Sequence, residues 1–201
     1  HDVEVRLFRF AVVSGRVLDD RHRPAAGASV VVISKTMVGG NELYSSRGKA
    51  LVDQKGNFRF DSLSPGTYYF AAMDWESGGV SAVPPRFEPL FYPNSRFLIS
   101  AVPLLLQSGQ ELTGIDFVAV PTSREANVQG QVRGLEQIGQ VGGLGLDVSL
   151  RTIEPNGVSS VLSRGVRIDS TGRFGFKGVS PGKYVLQVIR FSAPAPDGLI
   201  R

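Results

Sequence analysis

Few residues in this chain have the type and spacing to do chemistry. Its only imidazoles are His1 and His22. His22 lies in the charged stretch Asp19-Asp20-Arg21-His22-Arg23-Pro24, where it reads as a solvated turn residue rather than a general base. A Ser-His-Asp triad needs a poised serine beside that histidine, and no Gly-x-Ser-x-Gly nucleophile elbow is expected. Cysteine is absent, which removes disulfides and thiolate metal sites, and no histidine spacing suits zinc. Asp53 and Asp169 each open a glycine-containing turn, the setting of many calcium loops. Each turn offers one carboxylate, with no alternating Asp/Asn ladder and no closing bidentate glutamate, so an aspartate-capped turn is expected instead of an ion site. The sequence therefore predicts no enzymatic activity, no metal and no cofactor.

Two groups of apolar side chains point to binding. Residues 2–10, Asp-Val-Glu-Val-Arg-Leu-Phe-Arg-Phe, alternate apolar and polar side chains and predict a strand with one buried face. Its candidate interface residues are Val3, Val5, Leu7, Phe8 and Phe10. The stretch 74–96 reads as a long crossover carrying Trp75, Phe87, Phe91 and Tyr92. Those rings could stack a sugar or grip a peptide; the blander expectation is that they fold back over the open end of a core.

The elements that must position these groups are set by a duplication. Residues 53–70 and 169–186 align without a gap and share the Asp, the first Gly, two Phe, Ser-Pro-Gly and a Tyr. Asp followed three residues later by Gly suits a turn in which the carboxylate accepts backbone N–H groups and glycine takes positive φ. Phe58 and Phe60, like Phe174 and Phe176, lie two apart and so share one face of a strand. Ser-Pro-Gly is expected to close a corner with glycine in the left-handed position. The strands that follow are rich in aromatic and β-branched residues.

At these residues a family resemblance enters. Ser14-Gly15-Arg16-Val17, then Pro24-Ala25-Ala26-Gly27-Ala28-Ser29-Val30, then Asp53 to Gly56, Phe58-Arg59-Phe60 and Pro65-Gly66-Thr67-Tyr68 resemble the carboxypeptidase regulatory-like domain. The resemblance implies a transthyretin-like β-sandwich related to collagen-adhesin B-type repeats, and covers most of 11–121 and, more weakly, 126–190. It also implies an accessory module of exported or surface-displayed bacterial proteins. Collagen-adhesin relatives can lock themselves with a Lys–Asn isopeptide bond. Arg16 and Arg133 stand where such a relative offers lysine, and arginine cannot serve as that nucleophile.

The expected fold is all-β: two tandem Ig-like or transthyretin-like β-sandwich domains, 11–121 and 122–201, with residues 1–10 an extra N-terminal strand belonging to or completing another domain. The first is read as seven strands, ending in Arg96–Leu106 and Leu112–Val120. The second repeats the plan but lacks its last two strands, so that it is incomplete by itself. The 201 residues carry 22 Lys and Arg against 18 Asp and Glu, without the basic cluster that tracks phosphates, and nucleic acid is not an expected partner. No apolar run approaches the roughly 20 residues of a membrane helix. The sequence thus predicts an extracellular or cell-surface structural module, self-associating head-to-tail into a filament by N-terminal strand exchange, or else one window of a longer tandem array. The rival expectations are a carbohydrate- or peptide-binding module and an accessory domain of a larger surface protein or peptidase.

Overall fold

Short alternating segments punctuated by glycine fold into strands. The computed structural model describes residues 7–74, 85–121, 126–134, 145–157 and 159–191. These fall into two compact units, one of residues 7–74 and 86–121, the other of Pro85 and the described residues from 126 onward.

In the first unit the strands are β1 (Ala11–Asp19), β2 (Ser29–Val38), β3 (Asn41–Leu51), β4 (Asn57–Leu63), β5 (Gly66–Met73), β6 (Leu90–Phe91), β7 (Leu104–Leu106), β8 (Glu111–Leu112) and β9 (Phe117–Ala119). One sheet is centred on β1, with β4 antiparallel along one edge and the short β8 and β9 parallel along the other. The second has the order β3-β2-β5, and β6 and β7 cover the outer edge of β5. Val13, Val32, Phe60, Phe70, Leu106 and Phe117 belong to the buried core of this unit.

The second unit comprises β10 (Ala126–Gln131), β11 (Gly145–Ile153), β12 (Ser159–Arg167), β13 (Arg173–Val179) and β14 (Tyr184–Phe191). They pair as β10-β13 and β12-β11-β14. Two of the pairings, β10–β13 and β11–β14, repeat the first unit residue for residue, while β11–β12 places its irregularity elsewhere than β2–β3. Gly15 faces Phe58 and Val13 faces Phe60; Gly130 faces Phe174 and Val128 faces Phe176, with the same irregularity one step earlier. Val30 faces Ala72 as Val148 faces Val188. Both units are β-sandwiches, and the second lacks the counterparts of β6 to β9 among its described residues.

An aspartate turn recurs three times. Asp53 Oδ1 accepts the N–H groups of Lys55 and Asn57, each at 2.8 Å, and Asp169 Oδ1 those of Thr171 and Arg173 at 2.8 and 2.9 Å. Gly56 and Gly172 take φ of 86° and 81°. The third copy is Asp19, bonded to the N–H groups of Arg21 and Arg23, with His22 at φ 60° in the glycine place. His22 is thus the left-handed residue of a turn, a place that costs a non-glycine backbone strain.

The structure departs from expectation at several points. The pattern of the sequence reads Ser29–Thr36 and Leu43–Val52 as strands with a loop between them; that loop shrinks to Gly39-Gly40, both at positive φ, as a two-residue hairpin turn of the primed type requires. Arg96–Leu106 is not one strand: Leu98–Ser100 is a 3-10 turn, and only Leu104–Leu106 pairs, after Pro103, which has no N–H to give. Leu112–Val120 is broken at Gly114 (φ 78°) into the ends of β8 and β9. Of the strand expected over 2–10, residues 7–10 are described and form none; Leu7, Phe8 and Phe10 are all exposed, so no face is buried. Nor does Ser-Pro-Gly use a left-handed glycine, since Gly66 sits at φ 159° and Gly182 is not at positive φ. The glycine is needed because a tyrosine ring folds over it. A Cβ on Gly182 would lie 3.2 Å from the Tyr184 ring, and Tyr184 donates its hydroxyl to Ser180 O at 2.7 Å, as Tyr68 does to Ser64 O at 3.1 Å.

A Cβ at Gly15 would stand 2.0 Å from Ile115 O, so Gly15→Ala must part β1 from the β8–β9 segment; urea unfolding should show a loss of about 1–3 kcal/mol. Asp53 is held below its ordinary pKa by the Asn57 N–H above all, and Asp169 by the Thr171 hydroxyl and the Arg173 N–H. A carboxylate depressed on folding stabilises above its unfolded pKa and loses that contribution as pH falls through its folded value. Melting temperature should therefore be flat at neutral pH and fall below about pH 4, and Asp53→Asn with Asp169→Asn should make the fall shallower.

Candidate functional site

The groups that sequence reading weighed for catalysis are occupied structurally. His22 lies exposed in its turn, and the Asp53 and Asp169 carboxylates are engaged by backbone N–H groups. Among the described residues no three metal-ligating side chains cluster. Gly178-Val179-Ser180-Pro181-Gly182 does have the spacing of a nucleophile elbow, which the expectation of no elbow passed over. It joins two strands rather than a strand to a helix, and Ser180 is buried with its carbonyl taken by Tyr184. The elbow's structural context is missing.

Of the crossover aromatics, Phe87 and Phe91 are buried, and the half-buried Tyr92 stands edge-on to Phe117 at 6.1 Å. Two buried rings offer no face for stacking a sugar. Trp75 lies outside the described residues. The ends of the crossover are clamped: Arg86 donates Nε to Asp74 Oδ1 at 2.9 Å and its second guanidinium arm to both Asp74 and Ala26 O.

In the second unit, apolar residues are exposed at places that the first unit buries. Leu186 and Val188 on β14 correspond to Phe70 and Ala72 on β5; they are 47% and 48% exposed, whereas Phe70 and Ala72 are fully buried. In the first unit that face is covered by the segments that carry Leu106 and Phe117. Phe174 is likewise half-buried, while its counterpart Phe58 is buried with Phe117 at 6.0 Å. The edges of β10 and β14 that correspond to the covered edges of β1 and β5 carry no strand among the described residues. The core beneath holds a cation, Arg164, over the Phe176 ring at 5.9 Å and donating to Lys177 O at 2.6 Å. Unit one has Gly48 at that place.

The N-terminal candidates sit elsewhere. Leu7 is 92% exposed, and Phe8 and Phe10 are exposed and touch each other edge-to-face at 5.7 Å. Arg9 is tied to the first unit, accepting from Gly109 N at 3.0 Å and donating its N–H to Ser108 Oγ at 3.0 Å. Val3 and Val5 lie outside the described residues.

Arg16, where a crosslinked relative would offer lysine, instead grips Asp116: its backbone N–H donates at 2.9 Å and its guanidinium at 2.7 Å. Register corrects the expectation for the second unit. The residue opposite Arg173, as Arg16 is opposite Asn57, is Gln131 rather than Arg133.

No protein-family model matches the chain, and no curated protein matches it. Among solved structures, a streptococcal ancillary pilin aligns at 18% identity over 89% of this chain with a TM-score of 0.32. The Bacillus anthracis TIE protein aligns at 12% over 90% with 0.33, and a DUF3823 family protein from Bacteroides uniformis at 10% over 94% with 0.33. The chain spans 53% of the pilin, 28% of the TIE protein and 93% of the DUF3823 protein. At these values the likeness carries no inference about activity or partner.

Equal positions in the two units should respond unequally to truncation. Phe70→Ala is expected to cost about 3–5 kcal/mol in denaturant unfolding, and Leu186→Ala about 1 kcal/mol or less, because half of Leu186 already faces solvent.

Proposed function

We propose that the chain is a non-enzymatic structural and assembly module of an exported, surface-displayed bacterial protein. In this reading residues 11–121 and 122–201 are tandem sandwiches of the carboxypeptidase regulatory-like, transthyretin-like kind. The second takes a strand from outside itself. One observation carries the proposal: β1 and β5 bear further strands along edges where their counterparts β10 and β14 bear none among the described residues. An unpaired edge beside an exposed apolar face is a template for strand addition.

The donor in this proposal is the segment 2–10 of another copy, with Val3, Val5, Leu7, Phe8 and Phe10 as its apolar residues. Donor and acceptor are different surfaces, so the contact is head-to-tail, the kind that extends into a filament where the rotation between copies does not close a ring. Exposure of Leu7 supports the donor role, and exposure of Leu186 and Val188 the acceptor role.

The test is the assembly state of the intact chain, by light scattering and electron microscopy, beside a chain shortened by residues 1–10. Fibres or ladders of multimers that the shortened chain cannot form are the expected result. A monomer whose β14 amides exchange as slowly as those of β5 would overturn strand addition in favour of completion by the chain itself.

A further inference from the structure

Strand addition, the reading on which this inference rests, leaves open which way the added strand runs and which residues enter. The first unit answers both, because it contains the finished version of the same site. Along β1 the closing strand is parallel, with Phe117, Val118 and Ala119 beside Val17, Leu18 and Asp19. The second unit follows the same course up to this point: Val132 N donates to Gly172 O at 2.8 Å as Val17 N does to Gly56 O.

We propose that the segment completing β10 is the N-terminus of a second copy, laid parallel to β10, with Val3, Val5 and Leu7 in the places that Ile115, Phe117 and Ala119 hold in the first unit and Glu4 in the place of Asp116. The patterns match: Ile115-Asp116-Phe117-Val118-Ala119 and Val3-Glu4-Val5-Arg6-Leu7 both put apolar residues at alternate positions and an acid between the first two. Ile115, Phe117 and Ala119 are buried, and Val118 between them is exposed.

Charge selects the same register. In the first unit Asp116 closes a groove lined by Ser14, Arg16, Asn57 and Arg59, and accepts the Arg16 N–H. The corresponding groove of the second unit is lined by Gln129, Gln131, Asp169, Arg173 and Arg167. Arg173 replaces Asn57 and Arg167 replaces Leu51, while Gln131 stands for Arg16 and Gly175 for Arg59, so each groove holds two arginines and one turn aspartate, Asp169 being the counterpart of Asp53. Arg167 is also bonded to Asp147 at 3.2 Å, and what the second groove lacks among its described residues is the acid that Asp116 supplies in the first. Glu4 in the Asp116 place puts a carboxylate there and in reach of the Gln131 N–H. Val5 then covers Phe174, the counterpart of the Phe58 ring that Phe117 covers in the first unit.

The donor's own anchorage sets the limit of what can leave. Arg9 is bonded to Ser108 and Gly109, and Val12 N to Gln110 O, so Phe8 and Phe10 stay with the donor copy and residues up to Leu7 cross over. This divides the five candidate residues into three that insert and two that remain.

Because the chain contains no cysteine, introduced thiols report the register without background. Full-length Glu4→Cys and Gln131→Cys chains are mixed under mild oxidation, alongside Leu7→Cys mixed with Gln131→Cys. Facing positions on neighbouring strands fall within disulfide range, and positions three residues out of register do not, so the first mixture should give at least about tenfold more crosslinked dimer. Equal or reversed yields from an assembling protein would overturn the register while strand addition stands. No crosslink and no multimer in either mixture would sink both. A chain carrying Glu4→Cys and Gln131→Cys together that closes its disulfide as a monomer would show that the segment fills its own acceptor, and would overturn the second-copy assignment.

Discussion

The structure depends on one backbone constraint: a strand at the centre of a sandwich must have both of its edges paired and its inner face covered. The first unit meets it at β1, held by β4 on one side and by β8 and β9 on the other, with Gly15 allowing the Ile115 carbonyl to come within what would be the radius of a methyl group. Everything that closes the core depends on that approach. Phe117 reaches Phe58 and Tyr92, and Asp116 reaches Arg16, only because the segment around Ile115 lies this close. The second unit keeps the glycine, the bulge and the facing phenylalanines, and has no such segment among its described residues.

The same comparison shows where the second sandwich has exchanged buried apolar residues for polar ones. Val31 and Ile33 of β2 are buried, and their counterparts are Ser149 and Arg151. Arg164 occupies the place of Gly48 and satisfies part of its donor set with Lys177 O and the Phe176 ring. A buried guanidinium makes a sandwich more demanding of its surroundings, because each donor it withdraws from water must find an acceptor.

Local features were legible in the sequence and distant ones were not. Asp53-to-Gly56 and Asp169-to-Gly172 could be read as turns because the carboxylate and the amides it binds lie within four residues. The same turn at Asp19 went unread since a histidine holds the glycine position. The pairing of Arg16 with Asp116 spans a hundred residues and leaves no trace in spacing. Strand existence followed from alternation, but Pro103 and Gly114 cut two expected strands short, and Leu90–Phe91 gained pairing through β5, a partner no local pattern announces. For the candidate site, the duplication made the second copy's strands comparable with the first; which apolar residues are uncovered among the described residues required the register.

The clamp between Asp74 and Arg86 has a meaning for how the core is filled. A buried carboxylate grips a guanidinium across the two ends of the crossover, which fixes Asp74 and Arg86 against each other. The clamp therefore sets the point from which the chain after Arg86 delivers Phe87, Leu90 and Phe91 to their seats in the core.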